Sequence, residues 1–172
     1  MGEKNKTDFS IEEWAINWKQ QEKELHEFRG KVLTKSVYIE CLLDFILSKY
    51  FCNNTTDVEF RTGVLGKEFF TFMQKIKIFS ELQIHKRPHF KGEYDGYSEK
   101  LFNLAEIRNA FAHGHLDTEE KTILYLRGDK QKTLQIDEQL QKQFFENINS
   151  LDKMLVAVYI YLEDEKENKS QA

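Results

Sequence analysis

Proline, cysteine and long apolar runs are all scarce in this sequence, and each shortage argues against a class of protein. The single proline, Pro88, leaves long stretches in which helices can continue without a break. Cys41 and Cys52 form no CxxC pair and have no histidine at ligand spacing, which argues against a disulfide framework or a zinc site. The apolar runs are far shorter than a membrane-spanning helix requires. Since the polar start shows no signal-peptide pattern, we expect a cytoplasmic protein without membrane contact.

Acidic residues outnumber basic ones, which limits the kind of nucleic-acid contact to be expected. The chain of 172 residues carries a net charge of −4 and has an isoelectric point near 5.8. A surface that broadly coats nucleic acid needs an excess of positive charge, so the composition leaves room only for a small, local basic site. The length is typical of one domain with its own hydrophobic core.

Apolar residues recur at helical spacing through most of the chain. The pattern predicts one or two long helices across residues 10–52, a helix over 66–83 and another over about 97–113. Gly114 is expected to end the last of these in the left-handed conformation that glycine tolerates. On the first helix the spacing is carried by Val37, Cys41, Phe45 and the pair Ile46 and Tyr50. On the second helix the residues predicted to face inward are Phe69, Phe72, Met73, Ile76 and Phe79. Both cysteines are expected to be buried as small apolar residues.

The chain changes character before its last helix. Strand-forming residues flank the turn RGDK, which predicts a β-hairpin over about 121–136. Asp137 is expected to cap the following helix, whose apolar residues alternate in steps of four and three and form a narrow seam. The residues of this seam are Phe144, Ile148, Leu151, Leu155, Val158 and Leu162.

Together these patterns predict an all-α fold, an antiparallel helical bundle with a small β-hairpin inserted before the last helix. Residues 10–164 are expected to form one helical domain. A flexible N-terminus at 1–9 precedes this domain, and a charged tail at 165–172 follows it.

The segment NLAEIRNAFAHGHL (103–116) concentrates polar residues near the end of a predicted helix. At 100° per residue the apolar side chains of this helix form one stripe, and Arg108 falls inside it. The stripe consists of Leu104, Ile107 and Phe111. A guanidinium among core positions is costly unless it is paired. Arg108 therefore either meets a buried carboxylate, with Glu40 and Asp44 as candidates, or lines a cleft.

The run RNAFAH, from Arg108 to His113, resembles the R-x4–6-H motif of the HEPN superfamily, in which asparagine often follows the arginine directly. In that family the motif sits near the C-terminal end of a late bundle helix. The long opening helix and the closing helix are also similar, so that the resemblance covers roughly residues 20–163. The hairpin sequence ILYLRGDKQKTLQI resembles inserts in proteins like the mannitol-operon repressor.

The resemblance implies a metal-independent endoribonuclease, since many HEPN proteins cut RNA as toxins, antiviral defence effectors or CRISPR-linked nucleases. They work as homodimers whose motif helices face each other across a shared cleft. Such an enzyme needs no cofactor. The expected partners are single-stranded RNA as substrate, a second copy of the chain, and an antitoxin or another defence-system protein.

Three residues match the family motif and are the catalytic candidates: Arg108, Asn109 and His113. RNA cleavage without metal uses the ribose 2′-hydroxyl as nucleophile. The imidazole of His113 can exchange protons near neutral pH, Arg108 can hydrogen-bond the charged transition state, and Asn109 can orient the imidazole or bind the phosphate. Arg108 and His113 diverge by about 140° on an ideal helix, a gap that a two-fold site shared by two chains closes. Glu106 and His115 are accessory candidates.

The loop HKRPHFKGEYDG is basic and aromatic, a composition that suits single-stranded RNA through phosphate contacts and base stacking. An ordinary solvated loop is the alternative interpretation. The candidate RNA-binding residues are Lys86, Arg87, His89, Phe90 and Lys91.

Less specific interpretations stay open beside the enzyme. Arg108 also fits a structural ion pair, and His113 also fits a cap at the C-terminus of a helix, where the dipole favours a cation. The net acidity and the hairpin favour a non-catalytic, HEPN-like dimeric binding module or a regulator similar to the mannitol repressor. A dimerisation scaffold is a further alternative.

Overall fold

The computed structural model describes residues 11–52, 56–82, 84, 90 and 96–170 of the chain. Within these residues, five α-helices and a small antiparallel sheet confirm the predicted all-α fold with a β-hairpin before the last helix. A π-helical turn, Arg61–Leu65, directly follows the second helix. The elements in chain order are α1 (Ile11–Phe51), α2 (Asp57–Phe60), α3 (Phe72–Glu81), α4 (Tyr97–His113), β1 (His115–Asp117), β2 (Thr122–Arg127), β3 (Lys130–Gln135) and α5 (Glu138–Ser170).

The two longest helices, α1 and α5, lie side by side and run in the same direction. The hydroxyl of Tyr38 donates a hydrogen bond to Asp152 at 2.7 Å, across a sequence separation of 114 residues. Further along both helices, Lys49 pairs with Glu163 at 2.6 Å. Because the second pair has the same separation as the first, the helices are parallel and in register. The predicted apolar seam of α5 is buried along its whole length.

The shorter helices α3 and α4 run antiparallel to each other and complete the core. Near the end of α3, Phe79 packs edge-on against Tyr97 at the start of α4, with ring centroids 5.7 Å apart. Near the start of α3, Met73 lines a cleft together with Asn109, which lies near the end of α4. The bounds predicted for α4 are confirmed.

Helical spacing does not identify the buried face in the middle of α1, and the expected burial of Cys41 is wrong. Val37, Cys41 and Phe45 are exposed, and an adjacent stripe of the same helix is buried instead. Both stripes carry apolar residues at helical spacing, so that only the positions of the neighbouring helices decide which one is covered. The buried residues of this part of α1 are Val32, Ile39, Leu43, Ile46 and Leu47.

The helix predicted over 66–83 begins only at Phe72, because a capping box stands in front of it. The side chain of Gln74 accepts a hydrogen bond from the backbone N–H of Thr71 at 2.7 Å, and the Thr71 hydroxyl accepts one from the Gln74 N–H at 3.3 Å. This reciprocal pair starts a helix at a defined residue. Residues 66–70 form turns instead, and Phe69, predicted to face inward, is 66% exposed.

The last helix, α5, begins at a capped residue and extends to the end of the described chain. The carboxylate of Asp137 accepts a hydrogen bond from the backbone N–H of Leu140 at 2.7 Å, which confirms the predicted cap of α5. The helix continues to Ser170, within the predicted charged tail. Residues 1–9 lie outside the described part. None of the described helices combines the length and the apolar character that crossing a bilayer requires.

The three-stranded sheet has the order β1–β2–β3. Its β2–β3 hairpin is the predicted one, and the turn contains Gly128 at φ +61°, a conformation that glycine adopts without strain. Strand β1 is not among the predicted elements, because its three residues HLD carry too little pattern to be recognised. It pairs with β2 and ties the end of α4 to the hairpin.

Gly114 ends α4 as predicted, but not in the left-handed conformation. Its backbone is extended, with φ −81° and ψ 158°, because the chain passes directly into β1. A Cβ atom at this position would touch a methyl group of Ile123 and lie 2.5 Å from the carbonyl oxygen of Ala110. Only glycine therefore lets the end of α4 pack this closely against β2.

We expect Gly114→Ala to lower the free energy of unfolding by about 1–3 kcal/mol, as overpacked sites do. The matched control is Gly30→Ala, since Gly30 lies within α1 with open space around its Cα. Alanine should raise stability there by about 1 kcal/mol through its helix propensity. Urea unfolding followed by circular dichroism measures both changes. An unchanged free energy of unfolding in Gly114→Ala would contradict the close packing of α4 against β2.

Candidate functional site

The candidate catalytic residues lie in the last two turns of α4. The predicted apolar stripe of this helix is buried, and its burial fixes how the helix is rotated about its axis. With this rotation, Arg108 is half-buried, whereas Asn109 and His113 are exposed. The polar end of α4 is therefore available to a ligand while the opposite face of the helix holds the core together.

Arg108 lines a cleft of about 310 Å³ between α4, the start of α3 and the turn that precedes α3. Its Nη1 atom donates a hydrogen bond to Oδ1 of Asn109 at 3.0 Å. Lys67 and Glu68 of the turn also line the cleft. Among the described residues Arg108 forms no ion pair. Its remaining N–H groups are therefore available to a ligand.

A buried lysine holds both carboxylates that were candidate partners of Arg108. Lys75 is only 3% exposed, and its Nζ lies 2.8 Å from Oε1 of Glu40 and 2.9 Å from Oδ2 of Asp44. Burial lowers the pKa of Lys75, but the hydrogen bonds to the two carboxylates outweigh this effect and raise it above its ordinary value. The considered pairing of Arg108 with Glu40 or Asp44 is therefore wrong.

Sequence reasoning missed Lys75, although its position carries a signal. The lysine shares one face of α3 with Phe72, Ile76 and Phe79, all of which are buried. A lysine at a core position requires an acidic partner. Two carboxylates one helical turn apart on α1 provide that partner, but the contact between the two helices is visible only in the folded chain.

Glu106, an accessory candidate, ties α4 to the sheet. Its Oε1 atom accepts hydrogen bonds from the Tyr125 hydroxyl at 3.1 Å, from Nη1 of Arg127 at 2.9 Å and from Nζ of Lys132 at 3.5 Å. Burial and the hydrogen bond to Glu106 both raise the pKa of Tyr125. We therefore assign Glu106 to holding β2 and β3 against α4.

The two histidines lie on different elements. His113 is the last residue of α4 and lies one turn beyond Asn109 on the same face. The side-chain oxygen of Asn109, however, accepts a hydrogen bond from Arg108. His115 is exposed at the start of β1, where its backbone lies opposite Leu124. Within one chain, the helix thus directs Arg108 and His113 about 140° apart, and Arg108 alone of the two lines the cleft.

Phe90 belongs to the core and not to an RNA-binding surface. Its side chain is 6% exposed and packs edge-on against Tyr161 of α5, with ring centroids 5.3 Å apart. The ring of Phe90 is therefore not available for the predicted stacking on RNA. The other candidates of the basic loop lie outside the described residues: Lys86, Arg87, His89 and Lys91.

Comparison of the chain with protein-family models, curated proteins and solved structures finds no match. Among the described residues, no group of three or more His, Cys, Asp or Glu side chains is placed to hold a metal ion.

We expect Lys75→Met to lower the free energy of unfolding by about 3 kcal/mol at neutral pH, because two partly buried carboxylates lose their counter-charge. Burial already raises the pKa of Asp44 although Lys75 opposes it, and removing the lysine raises it further. The folded variant then binds a proton that the unfolded chain does not bind. The loss of stability should therefore shrink as the pH falls from about 7 toward 4.

Urea unfolding at a series of pH values measures this effect. The control is the variant Lys75→Met/Glu40→Gln/Asp44→Asn, which removes all three charges and should regain most of the lost stability. A loss that stays constant with pH would show that the two carboxylates do not depend on Lys75.

Proposed function

We propose that this chain is a HEPN-type, metal-independent endoribonuclease that cleaves single-stranded RNA. The observation that carries the proposal is the guanidinium of Arg108, which lines a cleft and forms no ion pair within the described residues. An arginine with a structural role would pair with a carboxylate, but Lys75 holds Glu40 and Asp44. An arginine that keeps free donors suits a phosphodiester.

In this proposal Arg108 donates hydrogen bonds to the non-bridging oxygens of the scissile phosphate as negative charge builds up there. One proton leaves the ribose 2′-hydroxyl and one is added to the leaving 5′-oxygen, and His113 carries out one of these two transfers while water carries out the other. The 2′-oxygen forms a bond to phosphorus while the bond from phosphorus to the 5′-oxygen breaks. The products are a 2′,3′-cyclic phosphate and a free 5′-hydroxyl.

The proposal requires a homodimer, because Arg108 and His113 diverge on α4 and do not meet at one phosphate within a single chain. Two-fold symmetry brings the arginine of one chain to the histidine of the other. We further propose that the enzyme acts in the cytoplasm as a toxin or phage-defence effector, with an antitoxin or a defence-system protein as its partner.

The second candidate function is a non-catalytic, HEPN-like dimeric binding module or a regulator similar to the mannitol repressor. The observation that favours it is the place of His113, which is exposed at the C-terminal end of α4 where a histidine also serves as a helix cap. In this case Arg108 binds an acidic group of a partner and no cleavage takes place.

The purified protein is expected to cleave single-stranded RNA in the presence of EDTA. Arg108→Ala and His113→Ala should each slow cleavage by at least about 100-fold, the usual contribution of an acid–base or charge-stabilising group. Labelled RNA on denaturing gels gives the rates, and mass spectrometry identifies the cyclic phosphate. Circular dichroism shows whether each variant keeps its fold.

His26→Ala is the matched control, since His26 is an exposed histidine of α1 that the proposed chemistry does not use, and its loss should leave the rate unchanged. Absence of cleavage by the wild type, or full activity of either motif variant, would contradict the proposed ribonuclease activity and favour the binding module.

A further inference from the structure

The chain between the π-helical turn and α3 forms one wall of the cleft that Arg108 lines. The backbone N–H of Phe70 donates a hydrogen bond to the carbonyl oxygen of Lys67 at 2.8 Å, so that residues 67–70 form a β-turn with Glu68 and Phe69 at its corners. Three residues of this 67–70 turn line the cleft: Lys67, Glu68 and Phe70. The proposed cleavage chemistry uses none of its side chains.

The 67–70 turn is fixed at both of its ends. Before it, the backbone N–H of Gly66 donates a hydrogen bond to the carbonyl oxygen of Arg61 at 2.7 Å, and the N–H of Lys67 donates one to the carbonyl oxygen of Val64 at 3.2 Å. After it, the capping box fixes the first residue of α3. The side chains of the turn are therefore held beside the cleft in advance, which lowers the cost of binding a ligand.

Lys67 adds a second available cation to the cleft. It is exposed and forms no ion pair or side-chain hydrogen bond within the described part of the chain. Lys75, the third cation that lines the cleft, is held by Glu40 and Asp44. Arg108 and Lys67 thus remain for an anion, and two cations along one cleft suit successive phosphates of a single strand.

Phe69, at a corner of the turn, is an aromatic residue that the core does not use. Its side chain is 66% exposed. Its ring centroid lies 6.3 Å from that of Phe70, which lines the cleft, so that the ring of Phe69 stands at the rim of the cleft. Aromatic rings beside a basic groove stack on the bases of single strands, and this stacking tolerates any base. The turn thus combines a cation with a stacking surface.

We propose that the 67–70 turn binds the RNA strand beside the scissile phosphate. Lys67 contacts a neighbouring phosphate, and Phe69 stacks on a base. The inference rests on the proposed function, because it takes Arg108 as the group that holds the scissile phosphate. It gives this turn the stacking role that the buried ring of Phe90 does not have.

A fluorescein-labelled decamer of 2′-O-methyl uridine tests this inference. Because its 2′-oxygens are blocked, the proposed chemistry cannot cleave it, and fluorescence polarisation measures binding alone. Lys67→Met should weaken binding and reduce the steepness of log affinity against log salt concentration by about 0.7, the value for one lost phosphate contact on a single strand. Phe69→Ala should weaken binding about tenfold at every salt concentration without changing this steepness, whereas Phe69→Trp should keep the affinity.

Glu68→Gln tests the turn with the opposite sign. The carboxylate of Glu68 lines the cleft and repels phosphate, so its loss should tighten binding. The matched controls are Lys77→Met and Trp14→Ala, which remove an exposed lysine of α3 and a 60% exposed tryptophan of α1 that are not among the residues lining the cleft. Both should bind the probe as the wild type does.

Binding at the wild-type level by Lys67→Met or Phe69→Ala would overturn the proposal, as would a Glu68→Gln variant that does not bind more tightly. An equal loss in the controls, or no binding by the wild type, would overturn it too. RNA cleavage by the wild type together with normal binding by the turn variants defeats this inference alone. The expected binding without cleavage of the matching RNA defeats the proposed enzyme alone.

Discussion

The contacts of Lys75 with Glu40 and Asp44 link the fold of this protein to its proposed function. They join α3 to α1, and they neutralise a carboxylate that lines the same cleft as Arg108. With Glu40 and Asp44 bound to Lys75, neither carboxylate pairs with Arg108.

The position of α4 between the core and the sheet explains why its end is the proposed working part of the molecule. Its apolar stripe is buried, and Glu106 fixes the sheet beside it. What remains accessible is a short polar surface with Arg108 lining one cleft and Asn109 the other. Under the proposed function the cleft lined by Arg108 holds the scissile phosphate.

The sequence predicted those features that depend on local signals. The cap at Asp137 and the bounds of α4 follow from residues within one or two helical turns, and both are confirmed. The buried face of α1 does not follow from its helical spacing because two apolar stripes compete, and the extended conformation of Gly114 depends on β2, which lies elsewhere in the chain. For the same reason the pairing of Glu40 and Asp44 was not predictable, since Lys75 reaches both carboxylates from a third helix.

The central claim is that Arg108 of one chain and His113 of a second chain act on the same phosphodiester. Mixing the inactive variants Arg108→Ala and His113→Ala under conditions that exchange subunits tests it most directly. Random exchange makes half of the dimers mixed, and each mixed dimer contains one intact site of two, so RNA cleavage should return to about a quarter of the wild-type rate. No recovery above the activities of the separate variants would contradict the shared site.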